Sequence, residues 1–191
     1  MLLEFKTKNY KSFVEESSFS MVAAPKQTGL DYSLMKTKVK GKEIRGLSSS
    51  VIYGPNAAGK TNIIGAMDVL RAIVLRGNIR NSEEKSSPNP AATALELIPN
   101  NNEAEGKPVY FSVEFYEEAE GDKFRILYEL EIDLGVFLDE EYPRKIISEN
   151  LFVNGEPIFQ RADNLYLGNM KVIRGYLSDI TEQNVESVSE I

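Results

Sequence analysis

The chain has 191 residues, 42% of them apolar and 27% charged, and a net charge of −7. That is the composition of a globular protein long enough to bury a core, and no run approaches the roughly 18 apolar residues of a membrane span. With no cysteine and no histidine, a Ser-His-Asp triad, a thiol nucleophile and the usual zinc sites are excluded. The acidic balance argues against a surface given over to nucleic acid, so such contact is expected only indirectly, through a larger assembly.

In chain order, the opening Met-Leu-Leu-Glu-Phe-Lys places an acid inside its only apolar patch. It does not read as a signal peptide, and with no cysteine to pair, a cytoplasmic location without a membrane partner is expected. Leu3, Phe5 and Thr7 alternate with polar residues, as do Phe19 and Met21, predicting two strands within residues 2–22. Asn9-Tyr10-Lys11-Ser12-Phe13 lies between them as a bend. Pro25, Gly29, Gly41 and Gly46 divide residues 23–47 into turns, with one more strand around Met35–Val39.

A short β-type run, Ser48 to Tyr53, then feeds a glycine-containing loop. Gly54, Gly59, Lys60 and Thr61 match G-x-x-x-x-G-K-[ST], the phosphate-binding P-loop. The two glycines let backbone approach phosphate oxygens without a Cβ in the way. The loop Gly54-Pro55-Asn56-Ala57-Ala58-Gly59 aims N–H groups inward from about Asn56 to Thr61, and the next helix points its positive end at the same place. Lys60 is expected on the β/γ-phosphates, its charge serving catalysis, and the Thr61 hydroxyl on Mg²⁺. The expected cofactors are ATP and Mg²⁺.

Ile63, Met67, Leu70 and Val74 fall on one helical stripe, widened by Ile64, Ile73 and Leu75, and Gly77-Asn78 reads as the stop. Residues 79–108 are polar and proline-rich, a surface excursion interrupted by apolar Ala94–Ile98. Period-2 patterning returns at Val109–Phe115 and Phe124–Leu134, joined near Gly121-Asp122. Asn154-Gly155 joins Ile147–Val153 to Pro157–Phe159, a strong hairpin signal. The tail from Asn164 is weakly helical, with Leu177, Ile180, Val185 and Val188. The expected fold is α/β: a P-loop helix against a mixed sheet, plus an antiparallel β-lobe. Residues 1–191 are read as one ATP-binding domain, incomplete by itself, divided at 1–78, 79–108, 109–161 and 162–191.

What surrounds the loop narrows the class. Monophosphate kinases place the P-loop on the first strand, whereas nearly fifty residues precede it here, and no N-K-x-D string marks a guanine site. Phe5, Asn9-Tyr10-Lys11-Ser12-Phe13 and GPNAAGKTN resemble the head domains of SMC-, RecF- and Rad50-like ABC ATPases. The pattern is more similar still to bacterial AAA-type/OLD-like ATP-binding proteins, which also share Glu149-Asn150-Leu151 and Ile158-Phe159-Gln160-Arg161. The resemblance spans about residues 1–161. It implies Mg-ATP binding by the N-terminal half of an ABC-type head, with Lys11, Ser12, Phe13 and Asn62 near the nucleotide and Gln160 linked to Mg²⁺. It also implies hydrolysis completed by a C-terminal half and by a homodimer that sandwiches ATP between two heads.

The departures are equally specific. No LSGG-like signature and no switch histidine are present. Val136-Phe137-Leu138-Asp139-Glu140 reads as a short Walker B strand, with Asp139 for Mg²⁺ and Glu140 as base. Gly135 interrupts the run, however, and a loop with solvated acids is the preferred reading. Two further functions stay open: a complete small NTPase using Asp139 and Glu140, or a non-catalytic ATP-sensing module controlling a nuclease or defence effector.

Overall fold

The computed structural model describes residues 1–25, 29, 31–79, 95–101, 107–136 and 142–176. The first strand, β1 (Leu2–Lys8), hides Leu3, Phe5 and Thr7 and shows its alternate residues to the other side, as period-2 patterning requires. It pairs with β2 (Ser17–Ser20) on one edge and with β5 (Val109–Ala119) on the other. β6 (Asp122–Asp133), β7 (Lys145–Val153), β8 (Glu156–Arg161) and β9 (Leu165–Leu167) follow as a meander, giving the order β2-β1-β5-β6-β7-β8-β9. The turn at Asn154-Gly155 puts both residues in the left-handed region, at φ 55° and 82°, the geometry that Asn-Gly hairpins favour.

Two expectations change here. Every ladder among the described residues is antiparallel, so the anticipated mixed sheet and separate β-lobe are one continuous antiparallel sheet. The run Ser48–Tyr53 joins no strand, and Val51 and Tyr53 stand 68% and 87% exposed. Its β-propensity has no neighbour to pair with, and an unpaired strand is not stable alone.

One face of the sheet carries the helix α1 (Lys60–Arg76). Its buried side chains, Ile63, Ala66, Val69, Leu70, Ala72 and Ile73, pack on Phe5, Val109, Phe111, Leu130 and Ile132. Each fully buried Leu, Ile or Phe contributes about 1.5–3 kcal/mol relative to exposure. The predicted stripe is buried at Ile63, Leu70 and Ile73 with Met67 packed beside them, while Ile64 is exposed and Val74 and Leu75 stay half exposed along a groove between helix and sheet. The helix ends as expected: Gly77 takes φ 68° and its N–H donates to the Ile73 carbonyl at 2.9 Å. The opposite face is covered by the hairpin of β3 (Leu34–Val39) and β4 (Lys42–Leu47), where Lys40 reaches Glu156 at 3.6 Å.

Leu95 and Leu97 return the chain from the polar excursion into the helix-side core. At the far end of that face, Phe124, Val153 and Ile158 form a smaller cluster under Met170, Val172 and Ile173. The tail through Tyr176 therefore makes β9 and two 3-10 turns, Met170–Val172 and Arg174–Tyr176, rather than a helix. Leu177, Ile180, Val185 and Val188 lie outside the described residues. No helix among the described residues is long and apolar enough to cross a membrane.

Candidate functional site

The loop Gly54–Gly59 leads into α1 without a side-chain cap; Gly59 itself is the residue before the first turn. Ala57 at φ 63° and Gly59 at φ 82° are both left-handed, a conformation that turns successive N–H groups toward one concavity. Inside the loop, the Ala58 N–H donates to the Pro55 carbonyl at 3.3 Å. The N–H groups of Asn56, Ala57, Gly59, Lys60 and Thr61 enter no backbone–backbone bond among the described residues. Those of Gly59, Lys60 and Thr61 are the orphan donors of a helix start, with the helix dipole behind them, and those of Asn56 and Ala57 belong to the loop. Lys60 folds over the same concavity, its Nζ donating to the Gly54 carbonyl at 2.7 Å and to the Pro55 carbonyl at 2.5 Å.

The glycines fit a bound triphosphate. A Cβ built on Gly54 would lie 3.6 and 3.9 Å from Ala58 and the Lys60 side chain, on the inner side of the loop and in ordinary contact. A Cβ on Gly59 would lie 2.9 Å from the Ser12 hydroxyl and 3.3 Å from the Phe13 ring. The donor set is peptide N–H and one ammonium, the chemistry that suits a polyanion.

The N-terminal bend lies directly against this loop. Tyr10 and Phe13 exchange backbone bonds of 3.0 and 2.9 Å, and Ser12 Oγ accepts a 2.8 Å bond from Asn62 Nδ2. Lys11 Nζ is ion-paired with Glu96 and lies 5.5 Å from the Tyr10 ring centre. Tyr10 is fully buried, edge-on to Phe111 at 5.4 Å, and donates its hydroxyl to the Glu96 carbonyl. Burial, with Glu96 and Asp68 nearby, pushes its phenol well above the usual range. The structure thus gathers Ser12, Phe13 and, through Ser12, Asn62 at Gly59, whereas the Lys11 ammonium lies farther along the helix, 4.0 Å from where a Cβ on Gly65 would be, and is paired with Glu96.

It does not bring Gln160 to the same place. Gln160 pairs with Asn150 and Tyr166, while its neighbour Arg161 pairs across the ladder with Glu149 on the helix side. Alternation puts Gln160 on the face away from α1 and from Thr61. The shared Glu149 and Arg161 form an ion pair, with the Tyr128 hydroxyl donating to Glu149 at 2.7 Å. Asp139 and Glu140 lie outside the described residues. Among the described residues, no group of three or more acidic side chains is gathered to hold a metal, so Thr61 is the candidate on hand for Mg²⁺. Patterning also missed Glu96 and Asn100, which lie in a stretch read as surface excursion. The apolar Leu95 and Leu97 beside them were the one available signal.

Among known families, the model described as AAA domain, putative AbiEii toxin, Type IV TA system matches residues 49–186. No curated protein and no solved structure shows a significant match to the chain.

Proposed function

The chain belongs to this AAA-domain family, a class of P-loop ATPases, and from that premise we propose that residues 54–62 bind Mg-ATP. The observation that carries the reading is the uncapped loop and helix start: five backbone N–H groups have no backbone partner among the described residues, and the Lys60 ammonium folds back onto the Gly54 and Pro55 carbonyls of the same loop. Gly54–Gly59 wraps the phosphates, Lys60 exchanges its two carbonyl partners for β/γ oxygens, and Thr61 offers its hydroxyl to Mg²⁺. Mg²⁺ supplies charge neutralisation at the transferring phosphoryl group. Asn62 holds Ser12 against Gly59, and Lys11 would add a second cation only by leaving its ion pair with Glu96.

We further propose that the chain acts as the N-terminal half of an ABC/SMC-like ATPase, its hydrolysis completed by a downstream half and by head-to-head dimerisation. Support comes from the exposed run Val51-Ile52-Tyr53: three consecutive apolar residues in front of a P-loop suit a strand whose partners come from outside the described sheet. Positioned charge around the γ-phosphate is what accelerates phosphoryl transfer. The chain by itself is therefore expected to bind nucleotide and turn it over slowly.

Titration with Mg and the fluorescent analogue mant-ATP tests the site. Lys60→Ala is expected to weaken binding at least about tenfold, the worth of one charge-assisted contact. Unchanged affinity in that variant removes the assignment.

A further inference from the structure

The bend beside the P-loop is costly to hold. Asn9 and Lys11 both adopt positive φ, 52° and 47°, a region non-glycine residues occupy only when their surroundings over-determine it. Asn9 is held in part by its own amide, which donates to the Lys107 carbonyl, and by its N–H, which donates to the Val14 carbonyl, but the partners of Lys11 come from Leu95–Asn100. The Lys11 N–H donates to the Ile98 carbonyl at 3.0 Å, and Tyr10 bridges to Pro99. Asn100 contributes twice: its N–H donates to the Asn9 carbonyl at 3.1 Å and its Nδ2 to the Lys11 carbonyl at 2.6 Å. Both left-handed residues are thus tied by one side chain and its backbone. Asn100 is only 4% exposed, so water does not stand in readily for a lost bond.

Resting on the nucleotide-binding reading above, we propose that Asn100 is a positioning residue for the ATP site, acting through the Lys11–Phe13 bend. The path is short. Asn100 fixes the Lys11 carbonyl, the Lys11 turn sets Ser12 and Phe13, and these two meet the space beside Gly59 at 2.9 and 3.3 Å from where a Cβ would be. Gly59 carries the peptide that opens the helix and supplies donors to phosphate. A bend freed from Asn100 relaxes away from φ 47°, and Ser12 no longer backs the loop. Only a terminal amide satisfies the carbonyl here; a carboxylate at the same place repels it.

Mant-ATP binding to the full chain at pH 8 tests this, with amide NMR of the nucleotide-free protein alongside. Asn100→Ala is expected to weaken mant-ATP about tenfold, the effect of one lost buried hydrogen bond on the site it shapes, and to shift the Ser12 and Gly59 amide signals. Val153→Ala, destabilising from the far end of the sheet, serves as the control and is expected to leave both readouts unchanged. Wild-type affinity in Asn100→Ala, or equal weakening in Val153→Ala, overturns the positioning role. Should Asn100→Ala fail to fold, the milder Asn100→Ser, polar but too short to reach the Lys11 carbonyl, is measured the same way, with the same expected loss and the same overturning result. Absence of binding to the wild type, or binding indifferent to Lys60→Ala, overturns the nucleotide site itself, an outcome distinct from failure of the Asn100 proposal.

Discussion

Gly59 is where the demands on a single residue are greatest. Its φ of 82° suits glycine, and the Ser12 hydroxyl and Phe13 ring occupy the place of a side chain. Gly59→Ala is therefore expected to cost about 1–2 kcal/mol from the left-handed backbone alone, before the crowding against Ser12 is added. Thermal melting should show the loss, and mant-ATP affinity should fall with it because the first donors of the helix tilt. A variant as stable and as tight-binding as the wild type would contradict the cradle as described. The spacing of Gly54, Gly59, Lys60 and Thr61 made the turn into α1 legible, and the left-handed Gly59 directly before the helix is where that pattern puts it. Asn100 was not legible, since nothing local distinguishes an asparagine that holds a distant carbonyl from one in a polar run. Its partner Lys11 is 89 residues away.

At the scale of elements, patterns of period two were the reliable guide. Val109–Phe115, Phe124–Leu134 and the Asn154-Gly155 hairpin form where alternation and turn chemistry placed them. Each signal is local, carried by side chains within one strand or one turn. Patterning erred where the outcome depends on a partner. Ser48–Tyr53 has strand-like composition but finds no neighbouring strand. The stripe of α1 holds at Ile63, Met67, Leu70 and Ile73, while Val74 and Leu75 stay half exposed along a groove shared with Val113, Phe115 and Tyr128, and Ile64 is exposed. The exposed apolar run Val51–Tyr53 has an explanation under the proposed two-half ATPase: it would meet the completing portion. Within the polar excursion 79–108 the apolar piece Ala94–Ile98 stands out by composition, but its bonding, with that of Pro99 and Asn100, to the N-terminal bend does not. Contacts across such separations leave no periodicity to read.

For the whole molecule, burial of hydroxyls on both flanks of the sheet sets an alkaline limit. Burial raises the phenols of Tyr10, Tyr110 and Tyr128 above their ordinary value near 10, and the carboxylates of Glu96, Glu129 and Glu149 add to the shift in each case respectively. A raised folded-state pKa contributes stability that is fully present below the unfolded value of about 10 and is lost as pH rises through the folded value. Melting temperature is expected to hold up to about pH 9 and to fall above about pH 10, less steeply in Tyr10→Phe. A Tyr10→Phe curve parallel to the wild type would contradict the role given to burial. These phenols stay protonated between about pH 7 and 9, so nucleotide affinity is expected to be level across that range.

The central claim is that backbone donors at the start of α1 hold a triphosphate. Amide NMR during titration with Mg-ATP reads those donors one by one. The account predicts that the largest shifts fall on Asn56–Asn62, with Ser12 and Phe13 following, and that Lys60→Ala suppresses them. Shifts concentrated elsewhere, or a titration that leaves Gly59, Lys60 and Thr61 unmoved, would contradict it.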